Sequence, residues 1–472
     1  MGNSTQINSG QGADVRPPTR VSLVNLGCPK NQVDAEVMLG QLAAAGYQIE
    51  EAPERADLIV VNTCSFIQEA KEESIRTILE AAALKRTGRC QAVVVSGCLA
   101  QRYGQELPAL LPEVDAFVGT GEFPRIADIA AATLRRCAGD RTWVTGHTAL
   151  VTADLPRRLL TPGHYAYLKI SEGCDRSCTF CAIPGIRGRM QSRSREDLLA
   201  EARRLAAAGV RELILISQET TDYGGDRGET HGLIRLLEGL LDIPAFRWIR
   251  LHYLYPTRVT PELIALLASE PRLCRYLDMP LQHCDGAVLK AMGRGGDEQS
   301  LRRLVERVRR AVPDITIRTA FITGFPRESG AQFSRLLRFV EAMRFDRVGV
   351  FCYSDEEGTP AASLGPKVPR RVAEARRARL MAVQAGIAEE QGRALLGTVQ
   401  EVMVDGPSPE FPGVQCGRTM AHAPEVDGTV YLRGASVRPG TMVRARIREA
   451  FEHDLAADIL EAGGESCDTA LL

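Results

Sequence analysis

The sequence predicts an α/β protein with three parts: an N-terminal doubly wound parallel-sheet domain, a central partial (βα)6 barrel and a small C-terminal β-barrel. Three observations support this prediction. Short β-branched runs alternate with amphipathic stretches from Val21 onward, which is typical of parallel strands with crossover helices. Six such units follow Tyr165, and the last segment contains short alternating runs separated by Gly and Pro. The 472 residues are enough to bury several cores.

The N-terminal domain is predicted over residues 21–150. Residues 1–20 contain Gly, Ser, Asn and Pro without an apolar period, so we interpret them as a disordered tail. Strands are predicted in the runs VSLVNLG, LIVVNTC and AVVVSGC. The helices that follow them are predicted to begin at about Asp34, at about Ile67 and near Leu99, the last ending near Leu107.

The central barrel and its following helix are predicted over residues 160–396. Its six strands are predicted in YAYLKIS, ELILISQ, RWIRLHYL, RYLDMPLQ, DITIRTAFITG and DRVGVFCYS. We expect an open barrel, because a closed barrel of the usual kind has eight strands. Residues 364–369 form a linker, and a helix then runs to about Leu396. The small β-barrel is predicted over 397–462, with a tail over 463–472.

Composition limits the function classes. The 58 Lys and Arg residues nearly balance the 59 Asp and Glu residues, so the net charge of -1 does not indicate a DNA-binding protein. No apolar run is long enough for a membrane helix, and the polar N-terminus does not resemble a signal peptide, so we expect a cytoplasmic protein. Thirteen cysteines without a secretory signal indicate thiolates used for metal or redox chemistry.

Cys28, Cys64 and Cys98 each follow a predicted strand, at intervals of 36 and 34 residues. Ligands of doubly wound sheets bind beyond the carboxyl ends of the strands, so the three thiols can converge there. Three alternatives are open. The thiols hold a 4Fe-4S cluster with one open iron, or a zinc ion with one open position, or they are separate buried thiols.

Cys174, Cys178 and Cys181 form a CxxxCxxC segment directly after the strand YAYLKIS. Three thiolates within eight residues can surround one cubane and leave its fourth iron free. A zinc site needs a fourth nearby ligand, and no Cys or His lies between Cys181 and His231. The segment therefore predicts a 4Fe-4S cluster.

A CxxxCxxC segment after the first strand of a six-unit barrel resembles the radical S-adenosylmethionine (SAM) superfamily, and the three upstream cysteines narrow the resemblance to the methylthiotransferases. The segments SLVNLGCPKNQVDAEVMLG, CDRSCTFCAIPGIRGRMQSR, DMPLQH and GVFCYSDEEGTPAA are similar to the RimO branch, which modifies an aspartate of ribosomal protein S-twelve. The tRNA-modifying MiaB branch typically has GCQMN where this chain has GCPKN. The resemblance covers Val21 to Leu460 and implies a methylthiotransferase domain, a radical SAM barrel and a TRAM barrel.

The resemblance implies a transferase that places a methylthio group on the β-carbon of an aspartate in ribosomal protein S-twelve, either free or within the small ribosomal subunit. It implies SAM and two 4Fe-4S clusters as cofactors, with Cys174, Cys178 and Cys181 on the cluster that binds SAM. Cys28, Cys64 and Cys98 would then hold an auxiliary cluster that delivers sulfur, and the two sets must face each other. An electron donor such as flavodoxin or ferredoxin is also implied. No catalytic residue is assigned beyond the cluster ligands.

Six residues are candidate SAM contacts by resemblance. Ser217 and Gln218 end a strand where the superfamily binds the SAM amino group, although they are equally explained as a polar strand end. Two arginines beyond the cluster loop can bind a carboxylate through a bidentate fork, or they are solvated. A glycine turn and a tyrosine at later strand ends are predicted to line the same pocket. The two arginines are Arg187 and Arg193, the glycine is Gly324 and the tyrosine is Tyr353.

The chain departs from the usual RimO-branch pattern at Ser65, Gly185, Arg327 and Asp355. Arg327 replaces a glycine in the turn after Gly324 and bears only on the fine geometry of that turn, because positive φ is costly for Arg. The other seven cysteines lack ligand spacing and are interpreted as core or incidental thiols: Cys90, Cys137, Cys274, Cys284, Cys352, Cys416 and Cys467.

The predicted C-terminal barrel allows a separate test of the substrate class. Residues 398–460 contain six Arg, no Lys and nine acidic residues, which suits a basic ribosomal protein better than tRNA. Residues 361–396 contain seven basic and three acidic residues, and they form either a solvated helix face or a contact with ribosomal RNA. The alternatives to the leading function are a tRNA adenosine methylthiotransferase and a noncatalytic iron-sulfur carrier or scaffold.

Overall fold

The computed structural model describes residues 19–135 and 141–462. The predicted tails, apart from Thr19 and Arg20, lie outside these residues, as do Cys137 and Cys467. Arg20, which we assigned to the tail, is instead the first residue of a strand, and its N–H donates to Asp57 at 2.8 Å.

The N-terminal part is a parallel sheet covered by helices on both faces. Its strands lie in the order β2-β1-β3-β4-β5-β6, and β3 and β4 are buried along their whole length, as parallel strands between two helical layers should be. The elements in chain order are β1 (Arg20–Asn25), α1 (Pro29–Ala44), β2 (Gln48–Ile49), β3 (Leu58–Thr63), α2 (Gln68–Thr87), β4 (Ala92–Gly97), α3 (Cys98–Tyr103), α4 (Leu107–Leu110), β5 (Ala116–Val118), α5 (Ile126–Leu134) and β6 (Thr142–Trp143).

Two helix predictions in this part need correction. Helix α1 begins at Pro29 rather than near Asp34, since Pro is well suited to the first helical position. Its polar first turns, including Lys30, Asn31 and Asp34, are buried, because α1 lies between the sheet and the central barrel. The helix predicted between Leu99 and Leu107 is two short helices, α3 and α4.

The central part confirms the open six-stranded barrel. Its main strands form two parallel three-stranded sheets, and one bridge between Ile249 and Leu273 joins them. In the part of the chain that the structure describes, no ladder joins the first of these strands to the last. The elements are β7 (Tyr165–Lys169), β8 (Ser171–Glu172), α6 (Ile183–Arg187), β9 (Gln191–Ser192), α7 (Arg195–Ala207), β10 (Glu212–Ile216), α8 (Gly232–Leu241), β11 (Trp248–Leu251), α9 (Pro261–Ser269), β12 (Tyr276–Asp278), α10 (Gly286–Ala291), α11 (Glu298–Ala311), β13 (Thr316–Thr323), α12 (Gly330–Met343), β14 (Arg347–Cys352) and α13 (Arg370–Ala394).

The C-terminal part is a closed five-stranded barrel around a core that includes Val402, Leu432 and Ile447. It docks against the amino ends of the central strands. Buried Glu212 at the start of β10 pairs with Arg418 at 2.6 Å, and Tyr276 at the start of β12 donates to Asp427 at 2.6 Å. The strands are β15 (Val399–Pro407), β16 (Gln415–Arg418), β17 (Val430–Arg433), β18 (Met442–Ala450) and β19 (Leu455–Ala462).

Arg327 adopts the left-handed backbone conformation that is costly for a residue other than glycine. Its φ is 68°, in the region that favours glycine. Its N–H donates to the Pro366 carbonyl at 3.0 Å, and its guanidinium donates to the Gly365 carbonyl. These bonds hold a backbone conformation that costs a non-glycine residue roughly 1–2 kcal/mol.

Substitutions at Arg327 should therefore distinguish the free-energy cost of its left-handed backbone from the loss of its guanidinium hydrogen bond. We expect Arg327→Gly to be more stable than Arg327→Ala by about 1 kcal/mol, because both variants lose the guanidinium but only Gly relieves the left-handed strain. Urea denaturation of the two variants and the parent measures this difference. Equal midpoints for Gly and Ala would show that the turn carries no such strain.

Candidate functional site

The first cysteine set lies at the carboxyl edge of the N-terminal sheet. Cys28 precedes α1, Cys64 follows β3 directly, and Cys98 opens α3 directly after β4. Cys64 and Cys98 are buried, and Cys28 is partly exposed. Burial and the charges of Cys98 and Cys28 raise the pKa of the Cys64 thiol to about 12, so the three sulfurs lie within electrostatic range of one another.

Glycine and asparagine shape this edge. Gly27 has a φ of +93°, and a side chain there would meet the Cys64 Cβ at 2.9 Å. Asn31 Nδ2 donates to the Thr63 carbonyl at 2.9 Å, which ties the start of α1 to the end of β3. Asn62 Nδ2 donates to the Asn31 carbonyl at 2.8 Å. The loops that carry the three thiols are therefore fixed by buried hydrogen bonds.

The second cysteine set lies at the carboxyl end of the first barrel strands. Gly173 has a φ of +76°, and a side chain there would lie 2.1 Å from the Arg189 carbonyl oxygen, so only glycine permits this turn. Burial raises the pKa of Cys174 to about 11 and that of Cys181 to about 12. Arg294 Nη1 donates to Cys178 Sγ at 3.6 Å.

The two cysteine sets adjoin each other across the interface between the N-terminal sheet and the barrel. Cys98 packs with Ala182 and Ile186, and Ala182 directly follows Cys181. Arg187 Nη2 donates to Cys98 Sγ at 3.3 Å and to Asn31 Oδ1 at 2.6 Å. The cluster loop of the barrel is thus in direct contact with the first cysteine set.

A buried ionic network surrounds this contact. Arg187 Nη1 lies 2.8 Å from Asp34 Oδ2 and 3.2 Å from Glu172 Oε2, and the Lys169 ammonium pairs with the same two carboxylates. Burial alone would raise the pKa of Glu172, but the charges of Lys169 and Arg187 lower it to about 2. Two cations therefore balance two carboxylates in a region closed to solvent.

The six candidate SAM residues have different surroundings. Gln218 donates to Glu172, two residues before Cys174, and its Oε1 is buried without a partner among the described residues. Ser217 Oγ lies 3.1 Å from Thr220 Oγ1. Arg187 is buried within the ionic network, which contradicts the alternative interpretation that its side chain is solvated.

The remaining three candidates do not pair with Asp34 or Glu172, although Arg193 Nη1 donates to the Lys169 carbonyl at 3.0 Å. Arg193 pairs with Asp197 and Glu201, each at 2.6 Å. The Cβ side of Gly324 is filled by Ala373, which would lie 2.4 Å from a side chain there. Tyr353 packs edge-on against Phe325, and its hydroxyl donates to Asp355 at 3.1 Å. Their contact with SAM stays a prediction.

Sequence reasoning missed an aromatic and basic group beside the second set. The Tyr255 ring contacts the guanidinium groups of Arg176 and Arg294, whose carbons are 4.8 and 4.3 Å from its centroid. Arg176 also pairs with Glu219 at 2.6 Å, and its N–H donates to Cys174 Sγ at 3.4 Å. The only sequence signal was the position of Arg176 inside the CxxxCxxC segment.

The other described cysteines have no recorded interaction with either cysteine set. Cys90, Cys274 and Cys284 are buried, and Cys352 and Cys416 are partly exposed. Within residues 19–135 and 141–462, no three His, Cys, Asp or Glu side chains are close enough to hold a single metal ion. A 4Fe-4S cluster spans a wider gap, because each thiolate binds a different iron. No helix of the described residues is long and apolar enough to cross a membrane.

Comparison with known proteins identifies the family. The chain is 48% identical over 444 residues to a ribosomal protein uS12 methylthiotransferase RimO from Trichlorobacter lovleyi, covering 94% of this chain and 98% of the relative. A relative of the same name from Geobacter sulfurreducens is 46% identical over 93% of this chain and 98% of its own length. The chain belongs to the RimO family.

Three family models match parts of this RimO-family chain. Uncharacterized protein family UPF0004 matches residues 20–119, the Radical SAM superfamily matches 168–340, and the TRAM domain matches 396–460. The fold resembles the radical S-adenosylmethionine methyltransferase TsrM from Kitasatospora setae, with a TM-score of 0.53, 15% identity and coverage of 85% of this chain and 77% of that one. These matches confirm the predicted three-part fold class.

The close approach of Gly27 to Cys64 predicts a specific sensitivity. Gly46 also has a positive φ, +88°, but a side chain there would meet nothing within 4 Å. Both Gly→Ala changes add backbone strain of roughly 1–2 kcal/mol, and Gly27→Ala adds overpacking of roughly 1–3 kcal/mol. We therefore expect Gly27→Ala to lower the urea midpoint more than Gly46→Ala. Equal losses would contradict the steric role of Gly27.

Proposed function

We propose that this chain transfers a methylthio group to the β-carbon of an aspartate in ribosomal protein uS12. The observation that carries the proposal is the contact between Cys98 of the first set and the segment that directly follows Cys181 of the second, in which Cys98 packs on Ala182 and accepts a hydrogen bond from Arg187. This contact supports the transfer of a group from one site to a substrate activated at the other. The relatives named uS12 methylthiotransferase, at 46–48% identity, support the substrate class.

Two 4Fe-4S clusters are part of the proposal. Cys174, Cys178 and Cys181 would hold one cluster, and Cys28, Cys64 and Cys98 would hold the other; each set supplies three thiolates and leaves one iron open. N–H donors at 3.3 Å from Cys98 Sγ and 3.6 Å from Cys178 Sγ suit sulfur ligands whose charge is shared with iron. When bound, these clusters and SAM supply the radical and sulfur chemistry.

The chain's own residues position these groups. Asp34 and Glu172 hold Arg187, and Arg187 holds Cys98 against the cluster loop. Gln218 Oε1, which has no partner among the described residues, can accept a hydrogen bond from the SAM amino group, and this supports the predicted role of Gln218. Ser217, Arg187, Arg193, Gly324 and Tyr353 remain the other predicted SAM contacts.

The charge of the C-terminal barrel favours a protein substrate. Asp405, Glu425, Asp427 and Arg418 contact the central barrel, which leaves five Arg and six acidic residues in residues 398–460 to face other partners. A surface without an excess of positive charge does not favour the phosphates of tRNA, and it therefore suits a protein substrate better. The proposal also includes a cytoplasmic location and a flavodoxin or ferredoxin as the electron donor.

Iron analysis tests the two cluster sites. We expect about eight irons per chain in the parent and about four in either triple Cys→Ala variant, because each 4Fe-4S cluster depends on one set. The matched control is the triple Cys→Ala variant of Cys90, Cys274 and Cys284. It should keep about eight irons per chain as long as it folds. About four irons in the parent, all lost with Cys174, Cys178 and Cys181, would remove the auxiliary cluster.

Mass spectrometry of the substrate tests the reaction. Reduced, reconstituted enzyme with SAM should add one methylthio group to an aspartate of uS12 in purified ribosomes, and either triple cysteine variant should add none. Nucleoside analysis of tRNA from a deletion strain is the parallel measurement. Loss of a methylthioadenosine there would favour the tRNA alternative, and absence of 5'-deoxyadenosine formation would favour the noncatalytic carrier.

A further inference from the structure

The first half of α13 is strongly basic. Residues 370–379 contain five Arg and a single Glu. Three of these arginines, Arg371, Arg377 and Arg379, are exposed, and no carboxylate in the part of the chain that the structure describes forms an ion pair with them. We refer to these three residues as the arginine patch. Like charges on neighbouring turns of a helix repel one another, so an anionic partner would stabilise the patch.

The acidic residues near the patch are paired with other arginines. Glu374 accepts from Arg370 Nε at 2.8 Å, and Arg370 Nη2 lies 2.9 Å from Glu69 Oε1 of α2. The charge of Arg377 also acts on Glu69, but the ion pair of that carboxylate is with Arg370. Buried Glu328 lies 3.1 Å from Arg376. These carboxylates therefore leave the patch without a close counter-charge.

Two members of the patch line a groove between α12 and α13. The groove has a volume of about 410 Å³. It is lined by Phe333, Arg371, Val372, Ala375, Arg376 and Arg379. Arg371 and Arg379 are eight residues apart, which places them on one side of the helix about 12 Å from each other along its axis. A guanidinium fork can donate two parallel hydrogen bonds to one phosphate, so a groove with three arginines and no carboxylate suits a ligand with several phosphates.

The patch begins at the end of the barrel that carries the cysteines. Thr323, the last residue of β13, donates through Oγ1 to the Ala373 carbonyl at 3.0 Å, so the first turn of α13 packs at the carboxyl end of that strand. The ion pair of Arg370 with Glu69 joins the same turn to α2, five residues after Cys64. A partner that brings an aspartate to the cysteine sets therefore approaches beside the patch.

We propose that the arginine patch binds phosphates of ribosomal RNA, so that the enzyme recognises uS12 within the small ribosomal subunit rather than as a free protein. This inference rests on the proposed function, because it concerns the form of the same substrate. Ribosomal RNA is a polyanion that surrounds its proteins, whereas a free basic protein is repelled by the patch. An acidic electron donor is also attracted, but it does not have to approach together with the aspartate. The position of the patch therefore favours ribosomal RNA.

Binding to purified small subunits tests the proposal. Anaerobic titration of fluorescently labelled holoenzyme gives its Kd for small subunits, for free uS12 and for tRNA at several salt concentrations. We expect the parent to bind small subunits at least about tenfold more tightly than either other ligand, because only the subunit offers both the protein and its RNA.

The triple variant Arg371→Gln, Arg377→Gln and Arg379→Gln should bind small subunits at least about tenfold more weakly than the parent, because it loses three phosphate contacts. Its plot of log Kd against log salt concentration should lose about two to three units of slope, since each phosphate contact contributes about 0.7–0.9. Its affinity for free uS12 should not fall.

Helix α11 supplies the matched control. Arg303, Arg307 and Arg310 are exposed in the second half of α11, toward the amino ends of the strands, and no described carboxylate forms an ion pair with them. Their triple Arg→Gln variant removes the same charge and should bind small subunits like the parent. Arg and Gln have similar helix propensities, so both variants should fold. Iron content and 5'-deoxyadenosine formation equal to those of the parent show that they are folded and loaded.

Several results would overturn the proposal. One is an unchanged subunit affinity and salt slope in the patch variant, and another is an equal loss in the α11 control. A parent that binds free uS12 or tRNA as tightly as small subunits is a third. If the patch variant keeps its subunit affinity but loses turnover with flavodoxin and not with dithionite, the patch belongs to the electron donor instead.

The outcome is separable from the proposed function. A parent enzyme that methylthiolates uS12 neither free nor in small subunits contradicts the proposed function itself. A parent that methylthiolates uS12 but binds small subunits independently of the arginine patch contradicts only the role of the patch.

Discussion

The buried guanidinium of Arg187 is the contact on which the relation of the two cysteine sets depends. It follows the barrel cysteines on α6 and reaches Cys98, Asn31 and Asp34 of the N-terminal sheet domain. Burying this charge is unfavourable unless carboxylates accompany it, and Asp34 and Glu172 do so from opposite sides of the interface. Neither domain alone completes the network, so the charge balance favours one docked arrangement.

Helix α1 is the element that makes this interface possible. A surface helix has one apolar stripe, whereas α1 is buried on most of its circumference because it packs against both the sheet and β7. The buried polar residues of α1 form hydrogen bonds and ion pairs around the cysteine sets, and its apolar residues pack in the core. A second connection lies elsewhere on the interface, where buried Glu356 pairs with Arg102 at 2.6 Å, one turn after Cys98, and with Lys71 at 3.0 Å. The two connections fix α3, and with it Cys98, from both sides.

The sequence was sufficient for the fold because buried parallel strands are continuous β-branched runs, and it placed Cys28, Cys64 and Cys98 at neighbouring strand ends because such ends converge in these sheets. It was insufficient where burial comes from another domain. The turn Pro29 to Gln32 is polar and reads as a loop, but the barrel covers it, so α1 starts five residues early. Arg187 could be recognised as an arginine near a cluster loop, but its partner Asp34 lies 153 residues away in the sequence. Arg327 shows the same limit, since its left-handed turn depends on bonds to residues 365 and 366.

The position of the C-terminal barrel constrains how a substrate can be recognised. That barrel docks through Arg418 on Glu212 and through Asp427 on Tyr276, and both partners are the first residues of their strands. The cysteines lie at the opposite, carboxyl ends, and a five-residue strand separates the two ends by about 16 Å. The docking surface of the acidic barrel therefore does not line the space between the cysteine sets. Attraction of a basic partner and choice of one aspartate within it are separate tasks, and the second must be performed by groups at the carboxyl ends.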